Sequence, residues 1–417
     1  MEMKKKAVTL LLTGMMILSV LSGCGNSQQT AAESGQQENP VQTVSANVTP
    51  EVESAADTKT EETENTVPKY IFFFIGDGMS YPQIQLTNYY LNAAAGNESV
   101  TVDGEEKTVL KSGNSLNMMN LEVTGSAQTY DSTSFAPDSA STATSIATGH
   151  KTWSGSINVS EDFSQEYETI AEKLKAQKGY KIGILSSVNL NHATPAAFSD
   201  TLALDDAVAK AVEFYEKHPD ETLILVTGDH ETGGLTIGYA GTDYDTFLTN
   251  FDNQKISYAK FDSDYVAAYK ENRTDFETVM KDVTELFGLT APADENAEKT
   301  EQKDSADLHP ESEDTGALEM TAYEYGLLKA AYDETMSRTG EESEFSQEEY
   351  ILYGSYEPLT VTITHILNNK SGINFGSYAH TGLPVEVLVS GVGAEKFEGY
   401  YDNTQIYEKL AELTGVE

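Results

Sequence analysis

Arginine is nearly absent. Arg273 and Arg338 are the only two in 417 residues, so the segments ahead of Arg273 supply no guanidinium for the planar two-pronged grip of an anion. Cysteine is scarcer still: Cys24 stands alone, which excludes an intrachain disulfide. Trp153 is the one tryptophan. Basic residues are few overall, and the formal net charge is −41. That balance removes nucleic acid from the partners to consider, because counterion release needs Lys and Arg clusters. It also repels a phosphate ester unless bound metal ions reverse the field locally. Long hydrophobic runs are missing apart from Ala7–Leu21, too short to span a bilayer comfortably. There are no internal repeats.

That one run sits where a sorting signal would. Lys4-Lys5-Lys6 precede it, and it ends in Leu21-Ser22-Gly23-Cys24, the pattern of a bacterial lipobox. Residues 1–24 are therefore expected to be a lipoprotein signal peptide, with Cys24 as the lipid attachment point and the protein held extracytoplasmically on the cell membrane. A plain secretory signal with an incidental cysteine is the simpler alternative. Residues 25–67 carry no aromatic residue and are rich in Gln, Glu, Ser, Thr and Ala, a composition that reads as a disordered polar linker. The globular part should occupy 68–417.

Within it, strand-like and helix-like stretches alternate. Tyr70–Ile75 is a continuous apolar run, as in a strand covered on both faces. Helices are expected over Ser139–Ala147, Gln165–Gln177, Asp205–Tyr215 and Thr404–Leu413, and strands over Tyr180–Leu185, Glu221–Thr227 and Pro384–Ser390. This rhythm gives an α/β fold: a doubly wound, mostly parallel sheet with helices on both faces, and ligands beyond the carboxyl ends of the strands. Residues 242–356, rich in Tyr, Asp and Glu, form a helical and acidic insertion with an irregular loop near 292–317.

The chemistry concentrates in a few segments. In Asp138-Ser139-Ala140-Ser141-Thr142-Ala143-Thr144, a serine opens an alanine-rich helix, where unpaired N–H groups and the positive helix end favour an anion. Asp77 follows one apolar run and Asp229-His230 another. Carboxylates and imidazole around a hydroxyl suit zinc, and the set describes a metal-activated serine that accepts a phosphoryl group.

At these residues the chain resembles the alkaline phosphatase family. Gly76-Asp77-Gly78-Met79, the D-S-A-x-x-A-T segment from Asp138, Ala193-Thr194-Pro195-Ala196, Asp229-His230-Glu231-Thr232-Gly233-Gly234 and His380-Thr381-Gly382 match in order from about Lys69 onward. The resemblance implies phosphomonoester hydrolysis through a phosphoserine at Ser139, with phosphate scavenged outside the cell. It implies zinc held by Asp77, Asp229 and His230 beside Ser139, and magnesium shared by Asp77 with Thr194. His192 stands where many members carry aspartate, a change that favours zinc over magnesium there. His380 resembles a ligand of a second zinc. His150, His218, His309 and His365 match no motif and read as packing or surface residues. A homodimer is left open. A sulfatase-like C/S-x-P-x-R pattern is absent.

One departure is large. Only Ala197–Gly228 separates the A-T-P-A and D-H-E-T-G-G motifs, with a join near Phe198-Ser199-Asp200. Four groups of the family have no counterpart: the phosphate-gripping arginine, a magnesium-binding glutamate, and an aspartate and histidine of the second zinc. A catalytically degenerate metal- or phosphate-binding surface lipoprotein on the same scaffold is the alternative reading.

Overall fold

The structure is a computed structural model that describes residues 67–185, 197–242, 245–293, 318–338 and 345–417, with backbone alone for 197–200. Five strands form the principal sheet: β1 (Tyr70–Gly76), β2 (Val123–Gln128), β3 (Thr222–Gly228), β4 (Val385–Gly391) and β5 (Gly399–Asp402). Their spatial order is β1-β3-β4-β2-β5. β1 pairs parallel with β3, β5 pairs parallel with β2, and the central β4 runs against both its neighbours. Four strands thus share one direction, and the sheet is mostly parallel as expected.

The longer helices are α1 (Tyr81–Ala94), α2 (Ser139–Thr148), α3 (Ile170–Lys178), α4 (Ala197–Tyr215), α5 (Phe276–Phe287), α6 (Ala322–Ser337), α7 (Pro358–Lys370) and α8 (Thr404–Thr414). Alternation along β3 shows why they cover both faces. Leu223 and Leu225 pack with Ile146 of α2, Leu174 of α3 and Leu410 of α8. Ile224 and Val226, pointing the other way, pack with Ile84 of α1 and Val208 of α4. Each fully buried Leu or Ile contributes about 1.5–3 kcal/mol, and all seven residues of β3 are buried.

Helix ends follow local chemistry. α2 stops at Gly149, which takes the left-handed conformation at φ 76°. α3 begins at Ile170, not at Gln165, because Thr169 and Glu172 form a reciprocal capping box there. α4 begins earlier than expected, at Ala197.

Two expectations need correction. Tyr180–Leu185 forms no strand: its described backbone is irregular, and Ile184 and Leu185 are 79% and 96% exposed. β1 is correspondingly the outermost strand, and its residues are mostly half-buried instead of covered on both faces. An apolar run becomes a strand only when a neighbour completes its hydrogen-bond ladder, and β1 is paired on the β3 side alone among the described residues.

The insertion carries a core of its own. Phe261, Val279, Phe287, Leu328, Leu359 and Ile363 are fully buried together, tying α5 and α6 to α7. α5 owes this to apolar residues at Val279, Met280, Val283 and Phe287, one face of a helix. Most of the acidic loop near 292–317 lies outside the described residues.

Candidate active site

The parallel register of β1 and β3 builds the site. Tyr70 faces Thr222 and Gly76 faces Gly228, so the two strands end level and Asp77 and Asp229 emerge side by side. The turns that follow interlock. Gly78, at φ 71°, donates its N–H to Asp229 Oδ1 (2.9 Å), and the His230 N–H donates to the same oxygen (2.9 Å). Gly228 permits this: a Cβ there would lie 1.7 Å from the carbonyl oxygen of Met79.

α2 delivers the nucleophile candidate. Asp138 caps the helix, accepting from the Ser141 N–H (3.0 Å) with one oxygen and the Gly155 N–H (2.5 Å) with the other. Ser139 is then the first helical residue and only 8% exposed. Its Oγ donates toward Asp77 Oδ1 (3.3 Å) and lies 2.8 Å from His230 Nε2.

His230 is fully buried, and burial lowers its pKa, so the ring is neutral. Its Nδ1 lies 3.0 Å from the carbonyl oxygen of Glu231. A carbonyl only accepts, so Nδ1 carries the proton and Nε2 presents a lone pair. That lone pair faces Asp77 Oδ1 at 3.5 Å and Asp229 Oδ2 at 3.4 Å. Burial, and then repulsion from Asp77, push the Asp229 carboxyl up to about 8.

Four acceptor-bearing side chains therefore converge, and among the described residues no Lys or Arg pairs with Asp77 or Asp229. Ligand atoms of Asp77, Asp229 and His230 lie within 4.8 Å of one another, a group that could hold a metal ion. Two carboxylate oxygens, one imidazole nitrogen and a serine hydroxyl fit a divalent cation chemically. Neither arginine contributes. Arg338 binds Glu334 (2.9 Å) and lies over the Phe345 ring, and Arg273 is exposed.

His380 reaches the site by another route. Its strand, His380–Thr381, pairs with Glu231–Thr232. Its ring stacks on His230, centroids 3.6 Å apart, and its Nδ1 donates to the carbonyl of Pro137 (2.7 Å). It thus lies over the three-residue cluster and not within it. His192, Thr194 and Cys24 lie outside the described residues, as does His309. His150 stacks on Tyr167, and His218 neighbours Glu221. Trp153 is 50% exposed.

Sequence reasoning missed Glu231. It is fully buried and accepts from Gln83 Nε2 (2.7 Å), the Gly234 N–H (2.9 Å), the Leu235 N–H (3.1 Å) and the Thr381 hydroxyl. One carboxylate thereby ties α1, the glycine turn and the strand bearing His380. Its adjacency to Asp229-His230 was the available signal. Glu231→Ala strands those donors in the interior and should cost about 3 kcal/mol. Urea unfolding measures this, and Glu231→Gln, which keeps an acceptor, should lose less.

A family model described as alkaline phosphatase matches residues 68–201 and 197–416. The two blocks meet at the join inferred near Phe198-Ser199-Asp200. Alkaline phosphatase 4 of Drosophila melanogaster is 32% identical over 142 residues, 33% of this chain and 22% of the fly protein. Streptomycin-6-phosphate phosphatase of Streptomyces griseus is 29% identical over 150 residues, 35% of this chain and 29% of that one. The matches thus span under a third of these curated relatives' length. Among solved structures, the cold-active alkaline phosphatase of Shewanella sp. gives a TM-score of 0.55 at 19% identity, covering 83% of this chain and 99% of that one. That of Thermus thermophilus gives 0.53 at 13% identity, covering 87% and 96%. These two establish likeness of fold. With the family model extending over nearly all of the globular part, the chain belongs to the alkaline phosphatase family.

Proposed function

We propose that this chain takes the phosphoryl group of phosphate monoesters onto Ser139 and is an extracytoplasmic, lipid-anchored phosphomonoesterase that scavenges phosphate. The observation that carries this reading is the Ser139 hydroxyl, 2.8 Å from His230 Nε2 at the start of α2 and beside two carboxylates.

Asp77, Asp229 and His230 would hold zinc. By resemblance Thr194 would hold magnesium with Asp77, His192 beside it would favour zinc in that position, and His380 would hold a second zinc. Bound metal supplies Lewis acidity that lowers the pKa of the serine hydroxyl and draws charge from the phosphoryl oxygens. In the proposed step Ser139 Oγ forms a bond to phosphorus, the bond from phosphorus to the ester oxygen breaks, and the alcohol departs with a proton. The Ser139 and Ala140 N–H groups, which open α2 without intrahelical partners, would favour the negative charge of the transferred phosphoryl group. Glu231 fixes the His230 tautomer through its carbonyl and holds the strand of His380 through its carboxylate. Water then releases phosphate from the serine.

Phosphate release from an aryl phosphate, compared with sulfate release from the matching aryl sulfate, tests the reaction class. Parent protein should release phosphate and Ser139→Ala should not. The absence of any arginine from the site favours a second reading, a binder that retains phosphate without turnover. Phosphate retained by the parent with no covalent mark on Ser139 would select it.

The anchor has its own test. A diacylated Cys24 supplies two chains, enough for firm membrane attachment, so the parent should fractionate with membranes and Cys24→Ala should not. Equal partition of both would remove the lipobox reading.

A further inference from the structure

A cavity of about 390 Å³ opens beside His380, away from the three-residue cluster. Its aromatic walls come from the insertion and the strand that follows it. Tyr258 meets Tyr356 edge-on at 6.3 Å, Tyr356 meets Tyr378 at 6.0 Å, and Tyr378 stacks with His365 at 5.8 Å and 22°. Phe375 also lines it.

The walls are preformed. Tyr378 donates its hydroxyl to the Leu352 carbonyl (2.5 Å), and its ring lies so close to Gly354 that a Cβ there would come within 2.8 Å of Cγ. His365 is held neutral by burial, so its face adds to the apolar surface. The volume falls in the range of small-molecule sites, and flat walls of this kind suit a ring stacked or packed edge-on.

Asp262 and Glu357 line the same cavity. Glu357 Oε2 is bound by Lys270 (2.9 Å), whereas its Oε1 is buried without a hydrogen-bond partner. An unpaired buried acceptor favours a side-chain turn that brings it to a donor, and a ligand in the cavity can supply one. Lys270 is one cation shared between these two carboxyl groups, so the wall does not neutralise, and disfavours, a ligand that brings a second negative charge.

Two stacked rings separate the cavity from the nucleophile: His380, which lines it, stacks on His230, whose Nε2 lies 2.8 Å from Ser139 Oγ. Resting on the phosphoryl-transfer reading above, we propose that this cavity receives the alcohol part of the ester. It selects monophosphates of aromatic alcohols that carry a hydrogen-bond donor or positive charge and no further negative charge.

The first test needs no turnover. Tyramine, a cationic aromatic alcohol, is titrated into the full chain by calorimetry beside 4-hydroxybenzoate, its anionic counterpart, and glycerol. The parent should bind tyramine at least about tenfold more tightly than either. Tyr356→Ala should weaken tyramine by a similar factor, and Glu357→Gln should narrow the preference over 4-hydroxybenzoate. Equal binding of all three by the parent overturns the proposal. So does a correctly folded Tyr356→Ala that binds tyramine as the parent does.

The second test reads phosphate transfer to Ser139 from phenyl phosphate and from glycerol phosphate. A preference for phenyl phosphate in the parent, lost in Tyr356→Ala while the glycerol phosphate rate persists, supports the cavity's role. That persistent rate also shows that the variant is folded. Tyramine binding without any transfer from either ester would retain the cavity as an aromatic site and remove the phosphoryl-transfer reading. Transfer at equal rates without tyramine binding would do the reverse.

Discussion

Mixed with an aryl phosphate and zinc, the chain should release alcohol in one small, slow phase and then turn over more slowly still, with phosphate held on Ser139. The reasoning starts from the asymmetry of the site. Ser139, Asp77, Asp229 and His230 are assembled within hydrogen-bonding or near-ligand distances, and they serve attack on the substrate. Among the described residues, the groups that by family resemblance would serve water in the second step come down to His380, which stacks on His230. One preorganised donor to a developing anion contributes on the order of 10²–10³ in rate, and no arginine supplies it. Lack of the two further second-zinc ligands that the family resemblance calls for should cost more, although parts of one site act as a unit and the two losses need not add. The mass of the peptide containing Ser139 should therefore rise by one phosphate and stay raised, and Ser139→Ala should show no rise. Sustained turnover at a rate typical of enzymes, roughly 10 per second, would mean that other side chains replace the missing groups.

The second large effect concerns metal. Described ligands are complete for one site alone, so the purified protein should retain about one zinc per chain after mild dialysis. Asp229→Ala removes the most buried carboxylate of the set, and its zinc affinity should fall by at least the 10–100-fold seen when outer-shell partners are lost. Zinc should also stabilise the fold: a free concentration one hundred times Kd contributes about 2.7 kcal/mol, visible as a raised melting temperature in the parent and absent in Asp229→Ala. Two zincs retained per chain, or equal retention by the variant, would contradict the single-site reading.

The sequence made the active-site strands legible because their periodicity is local. Leu223–Val226 is an unbroken apolar run that leads through Thr227 and Gly228 into Asp229, and the strand is buried throughout. Ser139 was legible for the same reason: Asp138 caps, Gly149 terminates, and both signals lie within one short segment. Other features depend on partners far away in the chain. Tyr180–Leu185 has strand composition, yet composition does not supply a neighbouring strand. The antiparallel course of β4 between β3 and β2 is set by register with both, which no window of sequence displays. Glu231 was passed over because its four donors come from Gln83, Gly234, Leu235 and Thr381, which only folding gathers. The aromatic cavity was hidden likewise, since Tyr258 and Tyr378 come to line one space, each against Tyr356, only through the packing of the insertion on α7.

The pairing of Gly76 with Gly228 has a consequence for how this family can tolerate change. Because both carboxylates are placed by the level ends of two strands, the site depends on strand length as much as on residue identity. Removing one residue from within β1, with every ligand left intact, would draw Asp77 back by about 3.3 Å and turn its side chain toward the opposite face. Substitutions along β1 that keep its apolar character leave that spacing alone. Single-residue insertions and deletions are therefore the lethal class of change in this strand, and conservative exchange is the permitted one.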